Sequence, residues 1–428
     1  KLIKYNINNK KINITDVQLC IRNLYHYFTN KRWIIKFNNK IEDVKFTNRK
    51  DLFNLFNKGP VTPDHVIRIK SEPLIIPNKH LTSSKMISNH VNAYVKKYKN
   101  YFKKYKKNIT NSKIADPLPR IIILEGIGFL SIGLNKKEMQ VSYDIFDAMK
   151  KVIIKANLVS KFKSINNTDI FKMEYWPLER AKLNNQNTKK FNGNVAVITG
   201  GAGKIGSAIA NKFINENIEV ILLDKNFKNL DVNIKKKCLC IACDLTNNSQ
   251  INKALNKILK LFGGIDILIA NSGAAFQGSM LNVKKDILEK SLEVNFYSHH
   301  NIVQKIANIM VSQGFGGSIS LNLSKQSINP GKDFGPYGIA KASSLFSMKQ
   351  YALEFGKYNI RVNGINADRI KSGLLTDQFI KERAKARNMS STEYLNNNLL
   401  QKQVTAEDVA EAFFAQLSFE KTTGNIIT

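Results

Sequence analysis

Between Gly335 and Ala342 the chain reads GPYGIAKA, which sets Tyr337 four residues ahead of Lys341 in a segment of helical spacing. That interval puts a phenol and an ammonium on the same helix face. A free tyrosine titrates at about pH 10 and is a poor base at neutral pH, but an adjacent cation stabilises the phenolate and lowers that value. The pair is therefore expected to act as general acid and base in alcohol and carbonyl chemistry. Ser324, 13 residues upstream at the end of an apolar run, is expected to hold the substrate oxygen against the phenol, although Ser320 and Ser327 flank it. A Y-x-x-x-K pair also arises by chance packing, so its weight depends on the surrounding sequence.

A second constellation supplies that weight. In VAVITGGAGKIGSAIA an apolar strand runs into a glycine-rich turn and a helix start, with Thr199 and Gly200 opening the turn and Gly201, Gly203 and Gly206 in G-x-G-x-x-G register. Without Cβ atoms such a turn can approach a pyrophosphate, which then sits on the free N–H groups of the helix N-terminus. Ile205 is counted with this set. Asp224 closes the next strand, EVILLD, where a carboxylate can accept hydrogen bonds from an adenosine ribose and repel a 2′-phosphate. NAD is thus expected over NADP, with Lys204 and Lys225 pulling mildly the other way. Asp244 with Leu245, and Asn271 with Ser272 and Gly273, end the third and fourth strands, and open α/β sheets bind ligands at that edge. The expected cofactor contacts are these residues together with Tyr337 and Lys341.

The elements that must hold these residues follow from pattern. Beyond a polar, turn-rich stretch at residues 184–193, apolar runs (VAVITG, EVILLD, CLCIACDL, IDILIAN, GSISLNLS, IRVNGINA) alternate with segments of helical periodicity. This alternation predicts a doubly wound parallel sheet covered by helices, and a domain over residues 191–428. Residues 1–190 are less regular: RIIILEGIGFLSIG reads as strand and turn, KKEMQVSYDIFDAMKKVIIKANLVSKF as a long helix, KGPVTPDHVIRIK as a loop. They are expected to form a partial α/β region.

Composition excludes some functions. No apolar run reaches the length of a membrane span. The formal charge of +33 comes from lysine spread along the whole length, a compositional bias rather than a polyanion site, and no nucleic-acid partner is expected. In YVKKYKNYFKKYKK the aromatics fall on one helical face, the pattern of a packed helix with a solvated lysine side. Cys238, Cys240 and Cys243 crowd into a run that reads as a buried strand without a nearby histidine, so no metal is expected, and reduced thiols fit a cytoplasmic protein.

With these residues in view, residues 193–428 resemble the short-chain dehydrogenases/reductases. ANSG is similar to the family's N-N-A-G motif, Asn295 in EVNFYS matches the fourth member of its catalytic tetrad, and YGIAK matches Y-x-x-x-K. The resemblance implies that Ser324 polarises the substrate oxygen and Tyr337 transfers the proton. It further implies that Lys341 lowers the tyrosine and binds the nicotinamide ribose, while Asn295 supports a water relay. More narrowly, DFGPYGIAKASSLFSMKQYALEFG, EYWPLERAKL, TPDHVIRIK and RIIILEGIGFLSIG resemble proteins that join a zinc-dependent class II aldolase to a dehydrogenase in rhamnose-type catabolism, whose dehydrogenase half oxidises lactaldehyde. Residues 1–190 would then be the later part of the aldolase half.

Departures are visible. Lys204 stands where the family has glycine, and Ala367 and Asp368 where it has Pro-Gly; the chain ends at TTGNIIT, where a final strand is expected to follow. The six histidines (His26, His65, His80, His90, His299 and His300) contain no H-x-H zinc pair, so no aldolase activity is expected; the missing core is expected upstream of Lys1. The implied protein is an NAD-dependent oxidoreductase and a homo-oligomer acting on a small molecule. The other reading is an idle NAD-binding scaffold or assembly module.

Overall fold

The computed structural model describes residues 11–108, 113–184, 189–372 and 375–428. It divides into two compact units. One runs to Gly193 and includes Ile258–Gly264 and Ser312–Gly314; the other holds the rest from Asn194 onward. Residues 185–188 of the polar boundary stretch lie outside the described residues.

The first unit is built on a four-stranded mixed sheet of β1 (Ile34–Asn38), β2 (Leu74–Ile76), β3 (Ile121–Leu124) and β4 (Gly128–Gly133), in the order β1-β4-β3-β2. Alternation of side chains along a strand sends Ile122, Leu124, Leu130 and Ile132 to one face and Ile121, Ile123 and Phe129 to the other. The helices Ile14–Thr29 and Ser84–Tyr105 cover the first face, and Lys136–Val159 covers the second with Phe146, Met149 and Ile153. The lysine-rich helix does pack: Ile87, Val91, Val95, Tyr98 and Phe102 are buried along one stripe, leaving the lysines outward. Beneath it lies a polar knot in which Glu174 accepts from Lys70 Nζ at 3.1 Å and from the Tyr98 hydroxyl at 2.6 Å. The segment TPDHVIRIK is not a loop but two short helical turns, Pro63–His65 and Val66–Ile69; Pro63 supplies a preset φ, and Val66 and Ile69 bury one side.

The second unit carries the seven-stranded parallel sheet expected from the alternating pattern. Its strands are β5 (Val195–Thr199), β6 (Glu219–Asp224), β7 (Leu239–Ala242), β8 (Ile267–Ala270), β9 (Gly317–Asn322), β10 (Ile360–Ile365) and β11 (Ile426–Ile427), in the order β11-β10-β9-β8-β5-β6-β7. The chain winds outward from β5 through β6 and β7, then returns to β8 and winds the other way. The strand order therefore reverses between β5 and β8, which opens a crevice beyond their C-terminal ends. Within TTGNIIT, Ile426 and Ile427 form β11 and pair in parallel with Gly364 and Ile365. The cysteines lie on and beside β7, an outer strand; Cys243 is buried and Cys240 half-buried. Among the described residues no group of three or more His, Cys, Asp or Glu side chains could hold a metal, and no helix is long and apolar enough to cross a membrane.

Candidate active site

The crevice begins at the turn after β5. Gly200 has φ +62°, a backbone state that favours glycine, and a Cβ at Gly206 would stand 2.2 Å from the Gly200 carbonyl oxygen. The turn can close only with glycine at both positions. It delivers the chain into the helix Lys204–Asn215, whose N-cap, Gly203, offers no side-chain hydrogen bond to the first amides. Those N–H groups open into a cleft of about 630 Å³ lined by Gly200, Gly203, Ile205, Gly206, Asp224, Asp244, Leu245, Asn271, Ser272 and Gly273. An uncapped, Cβ-free helix start fits a dinucleotide pyrophosphate.

Two residues expected among the cofactor contacts are buried and stand outside the cleft lining. Thr199 is fully buried, and its Oγ1 accepts from the backbone amides of Asn271 at 2.9 Å and Ser272 at 3.1 Å, tying β5 to the end of β8. Gly201 backs onto Leu222, which a Cβ would approach to 2.8 Å. Both shape the cleft from behind its wall.

Asp224 sits at the rim with its carboxylate held by backbone. Oδ2 accepts from Ala202 N at 2.9 Å and Oδ1 from Lys225 N at 2.7 Å. The Lys225 ammonium is drawn away to Asp244, at 2.9 Å, where Thr246 also donates to the carboxylate; these partners hold the Asp244 carboxyl below the usual range although burial opposes them. One of the two lysines that argued for a 2′-phosphate is thereby neutralised. Lys204 remains in the cleft lining.

A chain of hydrogen bonds crosses the strand ends from the glycine turn to the proposed proton-transfer residues. Asn271 Nδ2 donates to the carbonyls of Thr199 (3.1 Å) and Gly200 (3.3 Å), Asn322 Nδ2 donates to Asn271 Oδ1 (2.8 Å), and Lys341 Nζ donates to the Asn322 carbonyl (2.9 Å). Asn322 is a residue that sequence reasoning did not single out, because the reach between three strand ends is invisible in one dimension.

Tyr337 and Lys341 stand one turn apart near the start of the helix Gly335–Phe355, which Pro336 initiates in its first turn. Ser324 is the serine that shares the pocket lining with Tyr337; Ser320 is buried against Gln416 Oε1 at 2.8 Å, and Ser327 donates to the Ser324 carbonyl at 2.6 Å. The lysine does not lower the tyrosine as expected. Its Nζ lies 5.8 Å from the phenol ring centroid and is committed to the Asn322 carbonyl. Burial raises Tyr337 above the ordinary tyrosine value, with only the Ser324 hydroxyl pulling it back. Burial also pushes Lys341 down to about 8.

Asn295 falls on a π-helical turn, Glu293–Tyr297, and is fully buried. Its Oδ1 accepts from Ala274 N and its Nδ2 donates to the Ala274 carbonyl, both at 3.0 Å. The carboxamide is thus a bracket for the segment after β8. His299, buried one turn on, donates from Nε2 to the Ser272 carbonyl at 2.6 Å; burial, aided by the charge of Lys341, pushes it down to about 3, so the ring stays neutral.

A second cavity of about 160 Å³ holds Ser324 and Tyr337, and it shares Ile205, Ala275, Asn322 and Ser372 with the first. Phenol and serine hydroxyl therefore stand where a nucleotide-shaped cleft meets a pocket of small-molecule size. A family model described as Enoyl-(Acyl carrier protein) reductase matches residues 200–428, just over half of the chain. The chain belongs to the short-chain dehydrogenase/reductase family. Ahead of its dehydrogenase unit, residues 13–183 match the model described as Aldolase class II, second domain. Over 420 residues the chain is 28% identical to the uncharacterized oxidoreductase YuxG of Bacillus subtilis (strain 168), covering 93% of this chain and 61% of that protein. Short-chain dehydrogenase reductase 3a of Arabidopsis thaliana is 30% identical over 181 residues, 41% of this chain and 70% of the relative. Among solved structures, NAD+-bound xylitol dehydrogenase superposes with a TM-score of 0.52 at 22% identity, over 56% of this chain and 98% of that one, a likeness of fold.

Proposed function

We propose that the dehydrogenase unit is an NAD-dependent oxidoreductase that exchanges a hydride with the hydroxyl-bearing carbon of a small hydroxyaldehyde or alcohol. The placement of Ser324 and Tyr337 in one pocket lining, where that pocket meets the cleft, carries this reading. Ser324 orients the substrate oxygen against the phenol, and Tyr337 passes the proton. The nicotinamide, when bound, supplies the hydride acceptor. Because burial keeps the phenol protonated near neutral pH, Tyr337 is poised to donate to a carbonyl; in the oxidative direction it must ionise, so oxidation should quicken as pH rises. NAD is favoured by Asp224 at the cleft rim and by the pairing of Lys225 with Asp244. A lactaldehyde-like substrate from deoxy-sugar breakdown is consistent with the aldolase-type unit that precedes the site, to which we assign no aldolase activity of its own.

The test is the absorbance of reduced nicotinamide with NAD and with NADP across a panel of hydroxyaldehydes and alcohols, with Tyr337→Phe in parallel. Turnover with NAD that falls by roughly 10³-fold or more in the variant is expected, the scale of losing a positioned acid–base group together with its hydrogen bond. NAD binding without turnover of any panel member would support the idle scaffold instead.

A further inference from the structure

Arginine is scarce in this chain. Only ten of its 66 basic residues are arginine, and four of those lie beyond Asn194. Lysine serves the ordinary surface roles, so the few arginines mark places where a planar fork of donors matters. Arg361 is structural, donating to the carbonyls of Leu417 at 3.1 Å and Phe419 at 2.9 Å. The other three, Arg369, Arg383 and Arg387, all line the pocket that holds Tyr337.

Their charges are not balanced. Asp368 is the one carboxylate of that lining, and its Oδ2 is already shared by Lys325 at 3.3 Å and Arg369 Nε at 3.7 Å. Arg369, with φ +53°, also donates to the carbonyls of Tyr394 and Asn397 and so holds the outer wall of the pocket in place. Arg383 donates to the Lys332 carbonyl at 3.0 Å and lies 4.6 Å over Phe334, whose ring is 6.3 Å from that of Tyr337. Arg387 makes no hydrogen bond or ion pair among the described residues and rests on the Tyr394 ring at 5.2 Å. Among the described residues, two guanidiniums thus border the pocket without a counter-ion, Arg383 half-buried and Arg387 exposed. Independently, Gln326 Oε1 and Asn322 Oδ1, both in the lining, are buried acceptors with no partner among the described residues. A neutral alcohol would leave the guanidiniums to water; a hydroxylated anion would engage them and the buried acceptors together.

We propose that the substrate carries an anionic oxygen group, a carboxylate or a phosphate, held by Arg383 and Arg387 while its hydroxyl faces Tyr337. Guanidinium forks match both groups in bidentate geometry, and Arg369 positions the wall rather than touching the ligand. The inference rests on the dehydrogenase reading and replaces its neutral, lactaldehyde-like substrate with an acidic hydroxy compound.

Calorimetric titration of the full chain, with and without NAD, would compare glycerol 3-phosphate, lactate and neutral propane-1,2-diol. At least one anion should bind about 10- to 100-fold more tightly than the diol, the worth of hydrogen bonds to a charged group. Whether lactate or the phosphate ester gains more separates the two sources. Arg383→Gln and Arg387→Gln should each weaken that anion about tenfold or more without moving the unfolding temperature, whereas Lys357→Gln on the far surface should not. Anions that bind no better than the diol, or that bind as well after both arginine substitutions, or that weaken equally with Lys357→Gln, overturn the inference. Nicotinamide-coupled turnover run alongside keeps the two claims apart. Diol oxidised as efficiently as either anion sinks the anion site and spares the dehydrogenase; anion binding at the arginines without turnover does the reverse.

Discussion

Replacing Asp224 by Asn removes a charge from the cleft rim while keeping the side chain's size, and it should shift cofactor choice toward NADP. Both carboxylate oxygens accept backbone N–H groups, at 2.9 Å from Ala202 and 2.7 Å from Lys225. Asparagine can satisfy only one of them, but that cost, about 1 kcal/mol, falls on both cofactors alike and cancels in their ratio. What does not cancel is repulsion between the carboxylate and a 2′-phosphate. Unit charges about 5 Å apart at an effective dielectric of about 20 interact by about 3 kcal/mol, and screening at this half-exposed rim reduces that to about 2 kcal/mol. The Lys225 ammonium, paired with Asp244 at 2.9 Å, offsets little of the repulsion, which leaves Lys204 as the other lysine of the cleft lining. Dissociation constants for NAD and NADP, measured by calorimetry on both proteins, should show their ratio moving toward NADP by roughly 30-fold. A wild-type chain that binds the two cofactors equally, or a ratio that moves less than threefold, would refute the assignment of Asp224 as the discriminating charge.

Lys341 and Asn295 provide further tests. The folded-state value of Lys341, about 8, lies below the ordinary lysine value of 10.5, so the unfolded chain binds more protons between those limits. The native state should therefore gain stability relative to Lys341→Met as pH rises through that window, by at most about 3 kcal/mol, which denaturant unfolding at pH 7.5 and pH 10 would detect. Asn295→Ala should destabilise the dehydrogenase unit by about 2–4 kcal/mol, because it strips the Ala274 amide of its side-chain acceptor and removes the bracket's bond to the Ala274 carbonyl. Urea unfolding measures this, and a loss below about 0.5 kcal/mol would deny the bracket role.

The sequence by itself determined the parallel sheet, the glycine turn and the Y-x-x-x-K helix, because each rests on a local rule. Buried parallel strands read as short apolar runs between helical patterns, and the close approach of Gly206 to Gly200 tolerates no Cβ. A four-residue spacing brings Tyr337 and Lys341 to one face wherever the helix lies. Only the tertiary structure decided what depends on residues far apart in the chain. Ser324 is distinguished from Ser320 and Ser327 because it alone of the three shares the pocket lining with Tyr337. Lys225 pairs with Asp244 because β7 brings that residue beside β6. Tyr337 is raised rather than lowered because desolvation outweighs an ammonium that points to the Asn322 carbonyl. Arg369, Arg383 and Arg387 become one charged wall only when the segments after β10 fold over the strand ends, and charge density is a property of that enclosure rather than of spacing along a chain.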